Sequence, residues 1–201
     1  MQRSTLTDVL AELRTLRLIE LQGRQYVPGL RLISLVNQGL RADLSDSVRA
    51  SLGRLSAATG ETAVWVIDRV ASDEVVAIAQ VESAHGIRFV ADIGVPWSIW
   101  TTAAGHAFLA FSCRPAPAEM DERLAEIRAR GYAVLSGDAG GVAVAAPVID
   151  PRTGIVLGAF SVVGPSDRLT DPHRQVWPAL AEEVRMLASP GTALIPRPGT
   201  Q

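Results

Sequence analysis

The chain has 201 residues, of which 48% are hydrophobic and 20% charged, with a formal net charge of −2, and these are ordinary values for a soluble globular protein. No apolar run reaches the roughly 20 residues that span a bilayer, and the N-terminus lacks the pattern of a secretory signal. We therefore expect a cytoplasmic protein with no membrane partner. The single Cys113 excludes an intrachain disulfide framework and a thiolate metal cluster.

The charge is unevenly distributed along the chain. Residues 1–41 hold six arginines against three acidic residues, a local charge of +3 that leaves −5 for the remainder. Such an asymmetry suggests a DNA-facing module joined to a neutral or acidic domain, although a chance excess of arginine gives the same count.

The N-terminal segment predicts a helix followed by a hairpin. Ser4 is a suitable N-cap, and leucines then recur at helical spacing as far as Leu16. The letters "IEL", "QGRQ" and "YVPG" predict two short strands joined by a turn. A helix and a hairpin in this order form the second half of a winged helix.

A second apolar periodic run predicts a linker helix over residues 30–45, and "DLSDS" then offers a boundary and a new N-cap. Beyond a further helix that ends near Gly60, segments rich in β-branched residues alternate with helical ones. Six strands are predicted at residues 62–68, 74–82, 87–94, 132–135, 142–150 and 154–164, and helices at 101–113, 116–131 and 171–189. The predicted fold class is α+β, with a loose tail over residues 190–201.

Eight segments along the chain form a characteristic series: "RSTLTDVLAELRTLRLIE", "GRQYVPGLRLISL", "LSAATGETA", "EVVAIAQVES", "TTAAGHAFLAF", "LAEIRARGYAV", "VAVAAPVID" and "AFSVVGPSDRLT". In this order they resemble motifs of the IclR family of bacterial transcription regulators. The resemblance implies a partial winged-helix domain over residues 1–29, reduced to its recognition helix and wing because two preceding helices of the family are absent. It also implies the linker helix and a GAF-like effector domain over residues 46–189, with a curved antiparallel six-stranded sheet flanked by helices.

Catalytic and metal-binding patterns are missing from the sequence. His106 and Cys113 lie seven residues apart, about 10.5 Å along one helix, which is too far for a nucleophile and its base. The three histidines show no ligand spacing, and no P-loop, GxGxxG or GxSxG motif is present. We therefore expect neither an enzyme nor a protein with a metal or cofactor.

The polar side chains at the start of the first helix are candidates for contact with operator DNA, because helix-turn-helix proteins read bases from this part of the recognition helix. A cation on the wing can meet phosphate. The candidate DNA-binding residues are Gln2, Arg3, Ser4, Thr5, Thr7 and Arg24. An ordinary capped helix with a solvated hairpin remains the alternative reading of the same residues.

The resemblance places an effector between the curved sheet and the "TTAAGHA" helix, whose N-terminal amides suit a carboxylate. The candidate effector-binding residues are Ile99, Trp100, Thr102, Ala103, Ala104, Gly105, Ala143, Ala145, Phe160, Ser161 and Val163. Ala143 and Val163 stand where the family often has cysteine and serine, which predicts a more apolar pocket. Each wall residue could equally be plain core. Trp65 is expected in the core, and Arg168 is expected to pair near Asp167 and Asp171.

The sequence thus predicts a ligand-responsive transcription regulator of IclR type, acting as a homodimer or a dimer of dimers. Its expected partners are double-stranded operator DNA, if the winged helix is complete, and a small organic or aromatic acid. The alternative is an effector-binding and dimerisation module that has lost DNA binding.

Overall fold

The computed structural model describes residues 3–29, 31, 46–69, 72–137 and 140–188. These residues belong to two compact units, one within residues 1–44 and 195–201 and the other within residues 45–194. Apart from Arg31, the predicted linker helix at 30–45 lies outside the described residues, as does the predicted tail at 190–201. The limits assigned to these two segments therefore stay predictions.

The first unit consists of helix α1, Arg3–Thr15, and an antiparallel hairpin of β1, Ile19–Gln22, with β2, Gln25–Pro28. Gly23 has φ of 64° in the two-residue turn, where glycine adopts the left-handed conformation without strain. Leu6, Val9 and Leu16 of the apolar helix face are 48%, 42% and 41% exposed. The predicted helix and hairpin are both present.

The second unit is built on a six-stranded antiparallel sheet with the order β5-β4-β3-β8-β7-β6. Its strands are β3, Thr62–Arg69; β4, Glu74–Val81; β5, Pro96–Ser98; β6, Ala133–Ser136; β7, Gly141–Ile149; and β8, Val156–Pro165. The α+β class and the six-stranded antiparallel sheet are confirmed.

Helices cover both faces of this sheet. They are α2, Asp46–Thr59; α3, Ala103–Phe111; α4, Asp121–Arg130; α5, Pro172–Gln175; and α6, Trp177–Leu187. Helices α2 and α6 contact each other and strands β3 and β7, whereas α3 contacts α4 and the strands β6, β7 and β8. No helix in the described part of the chain is long and apolar enough to cross a membrane.

One predicted strand, at residues 87–94, is wrong. Residues 87–92 have no regular secondary structure, and the place beside β4 is taken by β5. The apolar content of the segment resembles that of a strand, but its backbone is held by side chains: the Thr62 hydroxyl donates to the Phe89 carbonyl at 2.6 Å. The predicted C-terminal helix is also divided in two, at Val176.

Candidate ligand-binding site

A cavity of about 620 Å³ lies between the N-terminus of α3 and the central strands of the sheet. Its lining residues are Val64, Val66, Phe89, Val90, Ala91, Trp97, Ser98, Thr101, Thr102, Ala103, Ala104, Leu135, Ser136, Gly137, Gly141, Val142, Ala143, Ser161 and Val163. Most are apolar, and among the described residues of this lining none carries a charge. A predominantly apolar concavity with a few hydroxyls and amides is the usual form of a small-molecule site.

Helix α3 begins at the cavity because Thr102 caps it. The Thr102 hydroxyl accepts a hydrogen bond from the Gly105 amide at 3.0 Å and donates to the Ser98 carbonyl at 3.3 Å. Ala103 and Ala104, the first residues of the helix, line the cavity. Amides in a first helical turn have no acceptor within the helix and favour an anion, so this end of the cavity suits a carboxylate.

Gly105 allows the loop before α3 to pass close to the helix. A Cβ atom at this position would collide with the backbone carbonyl of Ile99. Ile99 itself is fully buried, so the loop could make room for such an atom only by displacing a side chain of the core. The glycine therefore fixes the position of the first turn of α3 relative to the loop.

His106 is a buried polar residue directly behind the cavity wall and is 2% exposed. Its Nε2 atom lies 2.7 Å from the Trp100 carbonyl, and because a carbonyl can only accept, Nε2 must carry the proton. Within the described residues Nδ1 has no partner. Burial lowers the pKa of His106; the Trp100 carbonyl opposes this, and the charge of Arg123 lowers the pKa further. The side chain is therefore a neutral support for the loop.

The structure brings part of the predicted effector set to the cavity. Six members line it, namely Thr102, Ala103, Ala104, Ala143, Ser161 and Val163. Five others do not: Ile99, Trp100, Gly105, Ala145 and Phe160. The first three of these lie in and behind the loop before α3, and Ala145 is completely buried. Phe160 pairs in register with Trp65 and packs against it, so it faces the other side of the sheet.

Five groups of lining residues are missing from the predicted set. They are Val64 and Val66 on β3; Phe89 to Ala91 on the segment wrongly predicted as a strand; Trp97, Ser98 and Thr101 on and after β5; Leu135 to Gly137 at the end of β6; and Gly141 and Val142 at the start of β7. Strand alternation could have found the first group, because Val64 lies beside Ser161 in register. The prediction for Arg168 also needs correction. It was expected to pair near Asp167 and Asp171, but its guanidinium group donates to the Glu61 carboxylate.

The predicted DNA-binding residues belong to the first unit. Gln2 and the side chains of Arg3 and Ser4 lie outside the described parts of the chain. Thr5 and Thr7 are exposed on α1, and Arg24 is exposed in the hairpin turn. Contact of these residues with DNA stays a prediction.

Comparison with known proteins bears directly on the second unit. Residues 40–116 match the family model of the bacterial transcriptional regulator IclR C-terminal domain. The first part of the sheet unit, as far as the segment after α3, is therefore similar to an IclR C-terminal domain. No curated protein sequence gives a significant match.

Solved structures of IclR-type regulators are similar across almost the whole chain. An IclR regulator from Alicyclobacillus acidocaldarius is 25% identical with a TM-score of 0.76, covering 94% of this chain and 85% of that one. A putative regulator from Silicibacter sp. is 24% identical with a TM-score of 0.76, covering 94% and 83%. Thermotoga maritima IclR is 23% identical with a TM-score of 0.68, covering 94% and 87%. The first two of these similar proteins are transcriptional regulators, and the likeness of all three to this chain is a likeness of fold.

Proposed function

We propose that this chain is a ligand-responsive transcription regulator whose cavity binds a small organic or aromatic acid. The observation that carries the proposal is the cavity of about 620 Å³, with the first turn of α3 at its wall. The helix amides would receive the carboxylate, the hydroxyls of Thr101 and Ser161 would add hydrogen bonds, and the apolar wall would contact the body of the ligand.

The aromatic side chains favour a ligand with an aryl group. Phe89 and Trp97 both line the cavity, and offset stacking of aromatic rings adds to the gain from burying their area. Because the described lining carries no cationic side chain, the helix N-terminus is the chief attraction for a negative charge. One carboxylate on an apolar body fits this arrangement.

A thermal-shift series with benzoate and 2-naphthoate, with sodium sulfate as the matched salt control, tests the proposal. A ligand that binds only the folded state raises the melting temperature with the logarithm of its concentration above Kd. We expect both aryl acids to stabilise the protein, and 2-naphthoate to do so at lower concentration. Stabilisation by sulfate alone, or by sugars or organic cations alone, would contradict an acid-binding cavity.

We further propose that the ligand acts on DNA binding by a shift in population. An acid that prefers one arrangement of paired effector domains would favour one arrangement of paired winged helices. The exposed Thr5, Thr7 and Arg24 supply the polar and cationic groups that such contact needs. Light scattering would measure the expected dimer or dimer of dimers.

Selection of bound duplexes from a random library tests DNA binding directly, with Arg24→Gln as the variant that removes the wing cation. We expect recovered sites with two related halves, and a weaker salt dependence of binding for Arg24→Gln.

A second function is effector binding and dimerisation without DNA contact. It is favoured by the exposed Leu6 and Val9 on α1 and Leu16 just after it, which leave an apolar surface available for a partner. Absence of any enriched duplex would support this second function.

A further inference from the structure

Part of the cavity wall does not belong to the sheet. We define the wall segment as residues 87–91, three of which, Phe89, Val90 and Ala91, line the cavity. The segment has no regular secondary structure. Ile87 lies at the exposed end of the segment, whereas Phe89 is half-buried and Ala91 is buried, where unpaired backbone groups are costly and need partners other than a strand ladder.

Side chains supply these partners at alternate residues. The carbonyl of Ile87 accepts from Arg168 Nη2 at 3.0 Å, that of Phe89 from Thr62 Oγ1 at 2.6 Å, and that of Ala91 from Gln80 Nε2 at 3.2 Å. The Ala91 amide also donates to Gln80 Oε1 at 2.8 Å. Three side chains from the rest of the domain thus replace the ladder that a neighbouring strand would provide.

Arg168 is itself fixed by a buried carboxylate. Its Nε and Nη2 atoms donate to the two oxygens of Glu61 at 2.5 Å and 2.8 Å, and the Glu61 side chain is only 2% exposed. This pairing raises the pKa of Arg168 above its ordinary value. The Glu61 carboxyl packs against Gly164, where a Cβ would lie 2.6 Å from it. The neighbouring Val163 lines the cavity.

Arg168 thus connects Glu61, which packs against Gly164 on β8, to the carbonyl of Ile87 in the wall segment, although Arg168 does not line the cavity itself. We propose that Arg168 is a positioning residue for the effector: it holds the wall segment in place through Ile87 and so sets the affinity of a ligand that it does not touch. The claim that Arg168 sets the affinity for a ligand rests on the function proposed above. The claim that Arg168 holds the wall segment in place is independent of that function.

The domain contains a matched control. Arg54 makes the same two-pronged contact with the buried Glu183, at 2.7 Å and 2.7 Å, and its Nη2 also donates to Ser51 Oγ at 3.2 Å. This pair joins α2 to α6, and neither residue lines the cavity. Arg54→Lys and Arg168→Lys therefore remove the same kind of bidentate contact from a buried glutamate, but only the second also loses a bond to the wall segment.

Hydrogen exchange of the backbone amides, measured on the free protein, tests the inference first. Arg168→Lys should speed exchange within residues 87–91 by about fivefold or more relative to the rest of the sheet, because local opening there becomes easier. Arg54→Lys should change these amides no more than it changes the domain as a whole. Gln80→Met, which releases Ala91, serves as the positive control for loosening.

Titration with 2-naphthoate then tests the link to affinity. We expect Arg168→Lys to raise its Kd by roughly 2- to 30-fold, the range of energetic coupling through residues that do not touch a ligand, and Arg54→Lys to leave it unchanged. If the two lysine variants behave alike in exchange, or in Kd, the positioning role is overturned. If 2-naphthoate binds no form of the protein, the acid-binding function fails, while the exchange result still decides whether Arg168 holds the wall. Should Arg168→Lys not fold, Arg168→Gln carries the same comparison against Arg54→Gln.

Discussion

The two faces of the sheet bury different kinds of side chain, although helices cover both. On the face beneath α2 and α6, which we call the closed face, Trp65 and Phe160 pack with ring centroids 4.8 Å apart, and Ala146 lies next to Phe160 in register. On the face beneath α3, which we call the cavity face, the adjacent register positions hold Ser161 and Ala145. At these central strand positions, large rings fill the closed face, and small residues leave room on the cavity face.

The difference shows how one set of strands can serve two purposes. Successive residues of a strand point to opposite faces, so Phe160 and Ser161 are neighbours in sequence but contribute to different layers. A close-packed interior loses stability when volume is removed, whereas a wall of small residues keeps a cavity open. At these central strand positions, loss of side-chain volume should therefore cost more stability on the closed face, and changes of volume should affect ligand binding more on the cavity face.

The largest effect that would test this division is expected from Phe160→Ala. Phe160 is completely buried against Trp65, and truncation of such a ring costs about 3–5 kcal/mol in the free energy of unfolding. Urea unfolding measures this loss. Ser161→Ala is the control from the cavity face, and we expect it to change stability by less than about 1 kcal/mol. Equal losses in the two variants would show that the faces do not differ in this way.

The fold was largely predictable because its elements have strong local patterns. The β-branched segments around Val64 and Val144 are strands as predicted, and the helix predicted at residues 101–113 is present as α3. The strand predicted at residues 87–94 is wrong because the apolar content of the segment is typical of a strand. The side chains that hold its backbone, such as Thr62 and Gln80, come from elsewhere in the chain.

The site was less predictable for two physical reasons. Phe160 and Ser161 were both assigned to the wall by resemblance, yet the two-residue period of a strand allows only one of them to face the cavity. The partner of Arg168 is Glu61, which is 107 residues away in sequence, so local charge spacing suggested the nearer aspartates. Contacts of this range leave no mark in a single sequence.

A smaller change in stability is expected when a larger side chain is introduced on β7, either on the closed face or on the cavity face. Ala146 is 1% exposed on the closed face, so Ala146→Leu should destabilise the protein by about 1–3 kcal/mol through overpacking. Ala143 lines the cavity, so Ala143→Leu has space to occupy and should leave stability unchanged or raise it by up to about 1 kcal/mol. The pair is compared by thermal unfolding.

The same two variants should differ in the opposite sense when ligand binding is measured. Ala143→Leu should weaken 2-naphthoate binding by about tenfold or more, because the leucine occupies the space of the ligand. Ala146→Leu should leave the Kd of the folded protein nearly unchanged. A stable Ala143→Leu variant that still binds 2-naphthoate normally would place the ligand elsewhere.

The smallest effect is expected from acid, and it should act on the cavity side through His106. Because burial lowers its pKa in the folded state, the unfolded chain takes up a proton below about pH 6.5 that the folded protein does not. Stability supported by the neutral imidazole is therefore complete above that pH and is lost as the pH falls from there towards the folded pKa, by at most about 1.4 kcal/mol per pH unit.

Urea unfolding over a pH series would measure this slope. His106→Gln keeps a donor for the Trp100 carbonyl but cannot titrate, so its stability should fall less steeply than that of the parent protein. Arg123→Gln should lie between the two, because removing the nearby positive charge raises the pKa of His106 towards its usual value. If the three slopes coincide, His106 does not couple acid to folding. The unpaired Nδ1 of His106 would then lower the stability of the folded protein by the same amount at every pH.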